Sequence, residues 1–137
     1  MEIKILLVED NEGDIVLTQE ALKDGRIKNN IVIARDGVEA LAMLDSGDQL
    51  PDLILLDINL PKMNGLEVLT AIKTDPRIKC IPVIMLSTSD EQNDILTSYN
   101  NYANCFITKP VDFNRFINVV RTIEEFWISI VKLPKKK

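Results

Sequence analysis

The stretch Pro51-Asp52-Leu53-Ile54-Leu55-Leu56-Asp57-Ile58-Asn59-Leu60-Pro61 decides the fold. Its apolar run, Leu53 to Leu56, is too short for a helix and shows no polar alternation, so it predicts a strand buried on both faces. Such a strand belongs in a parallel sheet between two layers of helices. Comparable runs lie on either side of it, at Ile3 to Val8, Ile31 to Ala34, Val83 to Leu86 and Cys105 to Thr108. The run at Ile31 is the weakest, as suits an edge strand.

Helix start signals separate these runs. Asn11 with Asp14, Asp36 with Glu39, Asn64 with Glu67 and Ser89 with Gln92 each resemble a capping box, in which side chains satisfy amides of the first turn. Gly25, Gly47 and the Asp75-Pro76 step supply stops, and a fifth helix is predicted to open at Asp112. The order is (βα)5, a doubly wound α/β fold of the flavodoxin-like kind, with predicted strand order 2-1-3-4-5.

The chain has 137 residues, with 16 Lys plus Arg against 21 Asp plus Glu, a formal charge of −5. That length predicts one domain, set at residues 1–132, with a short basic tail at 133–137 and no effector domain. The acidic balance argues against nucleic acid as a partner. Histidine is absent, which removes Ser/His and Cys/His nucleophile pairs and histidine-ligated zinc. Cys80 and Cys105 are too few for a disulfide scaffold, and their apolar neighbours predict buried free thiols. No apolar run approaches the roughly 18 residues of a membrane span, and the start Met1-Glu2-Ile3-Lys4 lacks the layout of a signal peptide, so a cytoplasmic location is expected.

In sheets of this kind, function collects beyond the carboxyl ends of the strands. There the sequence places Glu9 and Asp10 after the first strand, Asp57 after the third, Ser87 after the fourth and Lys109 after the fifth. With the first and third strands adjacent, three carboxylates converge. Two carboxylates ~4 Å apart repel by roughly 4 kcal/mol at an effective dielectric near 20. Several such pairs are a heavy load for a domain stable by ~5–15 kcal/mol, and a hard divalent cation, Mg2+, is the simplest relief. Flanked by Lys109 and the Ser87 hydroxyl, such a site suits a phosphoryl group. No glycine-rich nucleotide cradle accompanies it, which weighs against an FMN or nucleotide module. The remaining chemistry is phosphoryl transfer to a carboxylate, with Asp57 as the nucleophile.

At these positions the chain resembles the bacterial response-regulator receiver domains over nearly its whole length. The matching motifs are Ile5-Leu6-Leu7-Val8-Glu9-Asp10-Asn11, Asp36-Gly37-Val38-Glu39-Ala40-Leu41 and Pro51 to Asp57. Leu60-Pro61-Lys62-Met63-Asn64-Gly65-Leu66-Glu67, Pro82 to Ser87 and Thr108-Lys109-Pro110 complete them. The resemblance implies that Asp57 is the phosphoacceptor for a histidine kinase, with Mg2+ held by Glu9, Asp10, Asp57 and the backbone carbonyl of Asn59. It implies that Lys109 pairs with the phosphoryl group, that Ser87 and Phe106 form the switch, and that the Lys109-Pro110 bond is cis. Phe106 stands where many relatives carry Tyr. The early Asn11-Glu12-Gly13-Asp14 and the ending around Phe126-Trp127 resemble the small regulators that serve bacterial phytochromes, which makes such a kinase the candidate sensor.

The last predicted helix carries more apolar residues than one face needs. Phe116, Val120, Ile123, Trp127 and Ile130 recur at helical spacing for the sheet side. Phe113, Ile117, Phe126 and Val131 lie off that stripe and, with Trp127, form a candidate homodimer face. Two rival readings stay open. A phosphorylation-independent interaction module would leave the acidic residues unused. A Mg2+-dependent phosphatase with an Asp nucleophile would want a second acid two residues after Asp57, where this chain has Asn59.

Overall fold

The computed structural model describes residues 2–23, 28–46, 50–87, 105–108 and 125. In chain order they form β1 (Glu2–Val8), α1 (Glu12–Lys23), β2 (Lys28–Ala34), α2 (Gly37–Ser46), β3 (Leu53–Asp57), α3 (Gly65–Lys73), β4 (Val83–Ser87) and β5 (Cys105–Thr108). The five strands make one parallel sheet in the order β2-β1-β3-β4-β5, as expected from the sequence. The helices predicted from Ser89 and Asp112 lie outside the described residues.

The continuous apolar runs do what their lack of alternation requires. Leu53, Ile54, Leu55 and Leu56 of β3 are all buried, between β1 on one side and β4 on the other. Leu6, Val8, Ile54, Leu56, Val83 and Met85 face α2 and α3, whose Ala40, Leu44, Val68, Leu69 and Ile72 close one core layer. Strand residues of the other parity, Ile5, Leu7, Leu55 and Ile84, are buried on the opposite face, with Ile15 and Leu22 of α1 buried apart from the first layer. Burial at about 25 cal/mol per Å2 of apolar surface is the main force holding both layers to the sheet.

Three local expectations need correction. β2 starts at Lys28, ahead of its apolar run, because Lys28, Asn29 and Asn30 pair with Glu2, Ile3 and Lys4. Backbone hydrogen bonds extend an edge strand where side-chain apolarity gives no signal. Among the described helices only α3 has a complete capping box: the Asn64 and Glu67 side chains each accept the other's backbone amide, at 3.0 Å. At α1 and α2 the forward half forms, Asp14 to Asn11 and Glu39 to Asp36, but the return bonds differ. Glu39 accepts from Arg35 instead, and the Asn11 amide turns to Glu9. The third correction is Cys80, which is exposed. It lies in the turns between α3 and β4, where Ile78 takes the core position and leaves Cys80 facing solvent. The Cys105 side chain lies outside the described residues. Among the described residues no helix is long and apolar enough to cross a membrane.

Candidate functional site

The register brings the acidic residues together. Val8, the last residue of β1, pairs with Leu56 of β3, so Glu9 follows β1 level with Asp57 at the end of β3. Asp57 is itself a strand residue, opposite Leu86 of β4. The Ile58 amide donates to the Leu86 carbonyl at 3.0 Å and carries the ladder one residue past it. On the other side the Glu9 amide donates to the Ala34 carbonyl at 2.9 Å. Both acids are therefore held by backbone bonds to neighbouring strands.

One carboxylate oxygen from each of Glu9, Asp10 and Asp57 lies within 4.8 Å of the others. Glu9 is 1% exposed and Asp57 4%, while Asp10 is open to solvent. At that separation each ionised pair repels by about 3 kcal/mol at an effective dielectric near 20, so the cluster needs a positive charge beside it. Asn11 and Asn59 donate backbone amides to Glu9 Oε2 at 3.2 Å and to Asp57 Oδ1 at 3.0 Å. These bonds orient the two buried carboxylates. Three hard oxygen donors, one of them solvent-facing, fit a divalent cation that keeps water in its shell.

The loop after β3 is closed from below. The Gly65 amide donates to the Ile58 carbonyl at 2.8 Å, so the first turn of α3 sits directly beneath the Asp57 backbone. A Cβ on Gly65 would overlap the Asp57 carbonyl and stand 2.7 Å from the Ile58 Cα. In the sequence Gly65 stands only within a motif, with nothing beside it that marks a part in the site. Its legible signal was the glycine at N1 of a well-capped helix, where most residues would serve.

The other expected site residues divide by placement. Ser87 ends β4, in register with Thr108 of β5, at the same carboxyl edge as Asp57. Phe106 lies within β5, in register with Met85. The side chains of Ser87 and Phe106 lie outside the described residues, as do Lys109, the Lys109-Pro110 bond, and Phe113, Ile117, Phe126, Trp127 and Val131. On the rim, Arg35 pairs with Glu12 at 2.8 Å, tying the β2–α2 connection to the start of α1. Both side chains are exposed, so this pair contributes at most about 1 kcal/mol.

A five-stranded doubly wound sheet with a buried carboxylate pair at its central carboxyl edge defines an α/β module whose acidic edge fits a divalent cation. The chain belongs to the response regulator receiver domain family, whose model matches residues 5–121, and is thus a receiver of two-component signalling. It is 44% identical to the response regulator Rcp1 of Synechocystis over 135 residues, 95% of this chain and 92% of that protein. Two solved structures are similar throughout. The phosphorylated cyanobacterial phytochrome response regulator RcpA superposes with a TM-score of 0.91 at 48% identity, covering 98% of this chain and 100% of RcpA. The Mn2+-bound form of Rcp1 gives 0.88 at 43% identity, covering 97% and 99%.

Proposed function

We propose that Asp57 is the phosphoacceptor of this receiver and that a sensor histidine kinase is its donor. A carboxylate oxygen of Asp57 attacks phosphorus, the bond from phosphorus to the kinase histidine nitrogen breaks, and an acyl phosphate forms. Glu9, Asp10, Asp57 and the Asn59 carbonyl would hold Mg2+, which supplies neutralisation of the charge gathered on the carboxylates and the phosphoryl oxygens. Lys109 adds a second positive charge, and Ser87 and Phe106 carry the change to the surface. The observation that carries this reading is the convergence of Glu9, Asp10 and Asp57 on one 4.8 Å cluster at the strand ends. The Mn2+-bound Rcp1 supports a divalent ion there, and all-oxygen donors favour Mg2+ as the resident one.

The similarity to RcpA supports a bacterial phytochrome as the sensor kinase. The proposed unit is one cytoplasmic receiver over residues 1–132 with a basic tail at 133–137. It signals by protein contacts, including a homodimer through the fifth helix, and not by binding nucleic acid or membrane or by turning over a metabolite. The test is intact mass after incubation with a small acyl phosphate or a phosphorylated histidine kinase, with and without Mg2+. Wild type gains one phosphoryl group only with Mg2+, and Asp57→Asn gains none. An adduct that survives in Asp57→Asn removes Asp57 from the reading. No adduct from either donor leaves the phosphorylation-independent module in its place.

A further inference from the structure

Lys62 stands in the loop between Asp57 and α3 with φ of 66°, the sole non-glycine positive φ among the described residues. The Met63 amide donates across it to the Pro61 carbonyl at 2.7 Å, which makes Pro61-Lys62-Met63 a γ-turn of the strained, positive-φ hand. Just upstream, the Leu60 amide donates to the Ile58 carbonyl at 3.2 Å, a second three-residue turn centred on Asn59. Asn59 is thus held between Asp57, which accepts its amide, and a strained turn two residues further on. A lysine stays at positive φ only where its surroundings hold it.

Those surroundings come from the β2–α2 junction. Lys62 Nζ lies 3.3 Å from Asp36 Oδ2. Asp36 is fixed in turn by its other oxygen, which accepts the Glu39 amide at 2.8 Å. Beside it, a Cβ on Gly37 would come within 2.5 Å of the Met63 carbonyl, so the start of α2 abuts the turn directly. Surface ion pairs are usually weak, but this one is preorganised: one partner is a helix cap and the other a strained backbone.

We propose that Asp36 and Lys62 form a latch that holds the strained turn and so positions the Asn59 carbonyl and Asp57 for the cation. Lys62 is a positioning residue that touches neither metal nor phosphoryl group. The inference rests on the cation site proposed above. It makes a prediction that charge alone does not. Lys62→Ala adds net negative charge near the cluster and Asp36→Asn removes it, so a purely electrostatic role shifts cation affinity in opposite directions. A latch weakens affinity in both.

The test titrates Mg2+ into the full chain by calorimetry for wild type, Lys62→Ala, Asp36→Asn, the double variant and Lys62→Arg. Asp36→Asn keeps an oxygen for the Glu39 amide, and circular dichroism checks that each variant folds. Lys62→Ala and Asp36→Asn are each expected to raise the Mg2+ Kd about threefold to tenfold, with the double variant no worse than either, as for one shared contact. Lys62→Arg restores wild-type affinity. Opposite shifts, or unchanged Kd values beside a normal wild type, overturn the latch alone. A wild type that binds no Mg2+ overturns the cation site, and the latch with it.

Discussion

Gly65 sets how closely α3 approaches the acidic edge. Any side chain there displaces the Asp57 carbonyl or the Ile58 backbone, neither of which yields without disturbing the β3 ladder. Gly65→Ala is expected to lower stability by about 1–3 kcal/mol, the usual cost of overpacking, and the melting temperature by several degrees. It is also expected to slow phosphorylation of Asp57, because the Asp57 backbone must shift. Calorimetry and the rate of adduct formation check both; an unchanged rate in a folded variant would separate the close approach from the chemistry. Asp36 behaves differently. The Glu39 amide it accepts holds its carboxyl below the usual value of 3.8, partial desolvation opposes this, and Lys62 adds to the lowering. A carboxyl lowered on folding adds stability above its unfolded value and loses it as pH falls through the folded one, so the latch stays charged at neutral pH.

At the scale of elements, side chains at helix ends set the connections near the site. The α3 capping box fixes where the loop after Asp57 ends, and such caps contribute about 1 kcal/mol each. At the far end of α3, Lys73 donates to the carbonyls of Lys79 and Ile81 at 3.0 and 2.8 Å and clasps the connection to β4. Burial pushes its ammonium below its ordinary pKa, with Cys80 opposing. The predicted fifth helix carries the element-scale prediction. Its off-stripe residues, Phe113, Ile117, Phe126 and Val131, are the proposed contact with a second copy. Phe126→Glu is therefore expected to halve the mass found by light scattering. A mass unchanged from a wild-type dimer, or a monomeric wild type, would remove this helix from the proposal.

For the whole molecule, the acidic cluster couples cation binding to folding. The three carboxylates come within 4.8 Å only when β1 and β3 are paired, so a divalent cation binds the folded chain far better than the unfolded one. Mg2+ at about 100 times its Kd is expected to add about 2.7 kcal/mol by linkage, a rise of several degrees in melting temperature. Asp10→Asn, at an exposed position with no packing to lose, should abolish most of that rise. An equal rise in the variant would mean nonspecific screening instead of a site.

The strands, the starts of α1, α2 and α3 and the residues of the acidic cluster were legible in the sequence because each is a local pattern. A strand buried on both faces must be apolar throughout, a cap acts within four residues, and Glu9, Asp10 and Asp57 mark the ends of their own strands. The sequence alone therefore determined the doubly wound fold and named the carboxylates. Tertiary structure decided what depends on distant partners. The Val8–Leu56 register sets the 4.8 Å convergence, Gly65 and Gly37 are small because backbone presses on them, and Cys80 is exposed because Ile78 takes the core. The positive φ of Lys62 and its pairing with Asp36 left no local mark either. Lysine has no preference for that conformation, and its partner lies on another element, so only the packed molecule brings the two together.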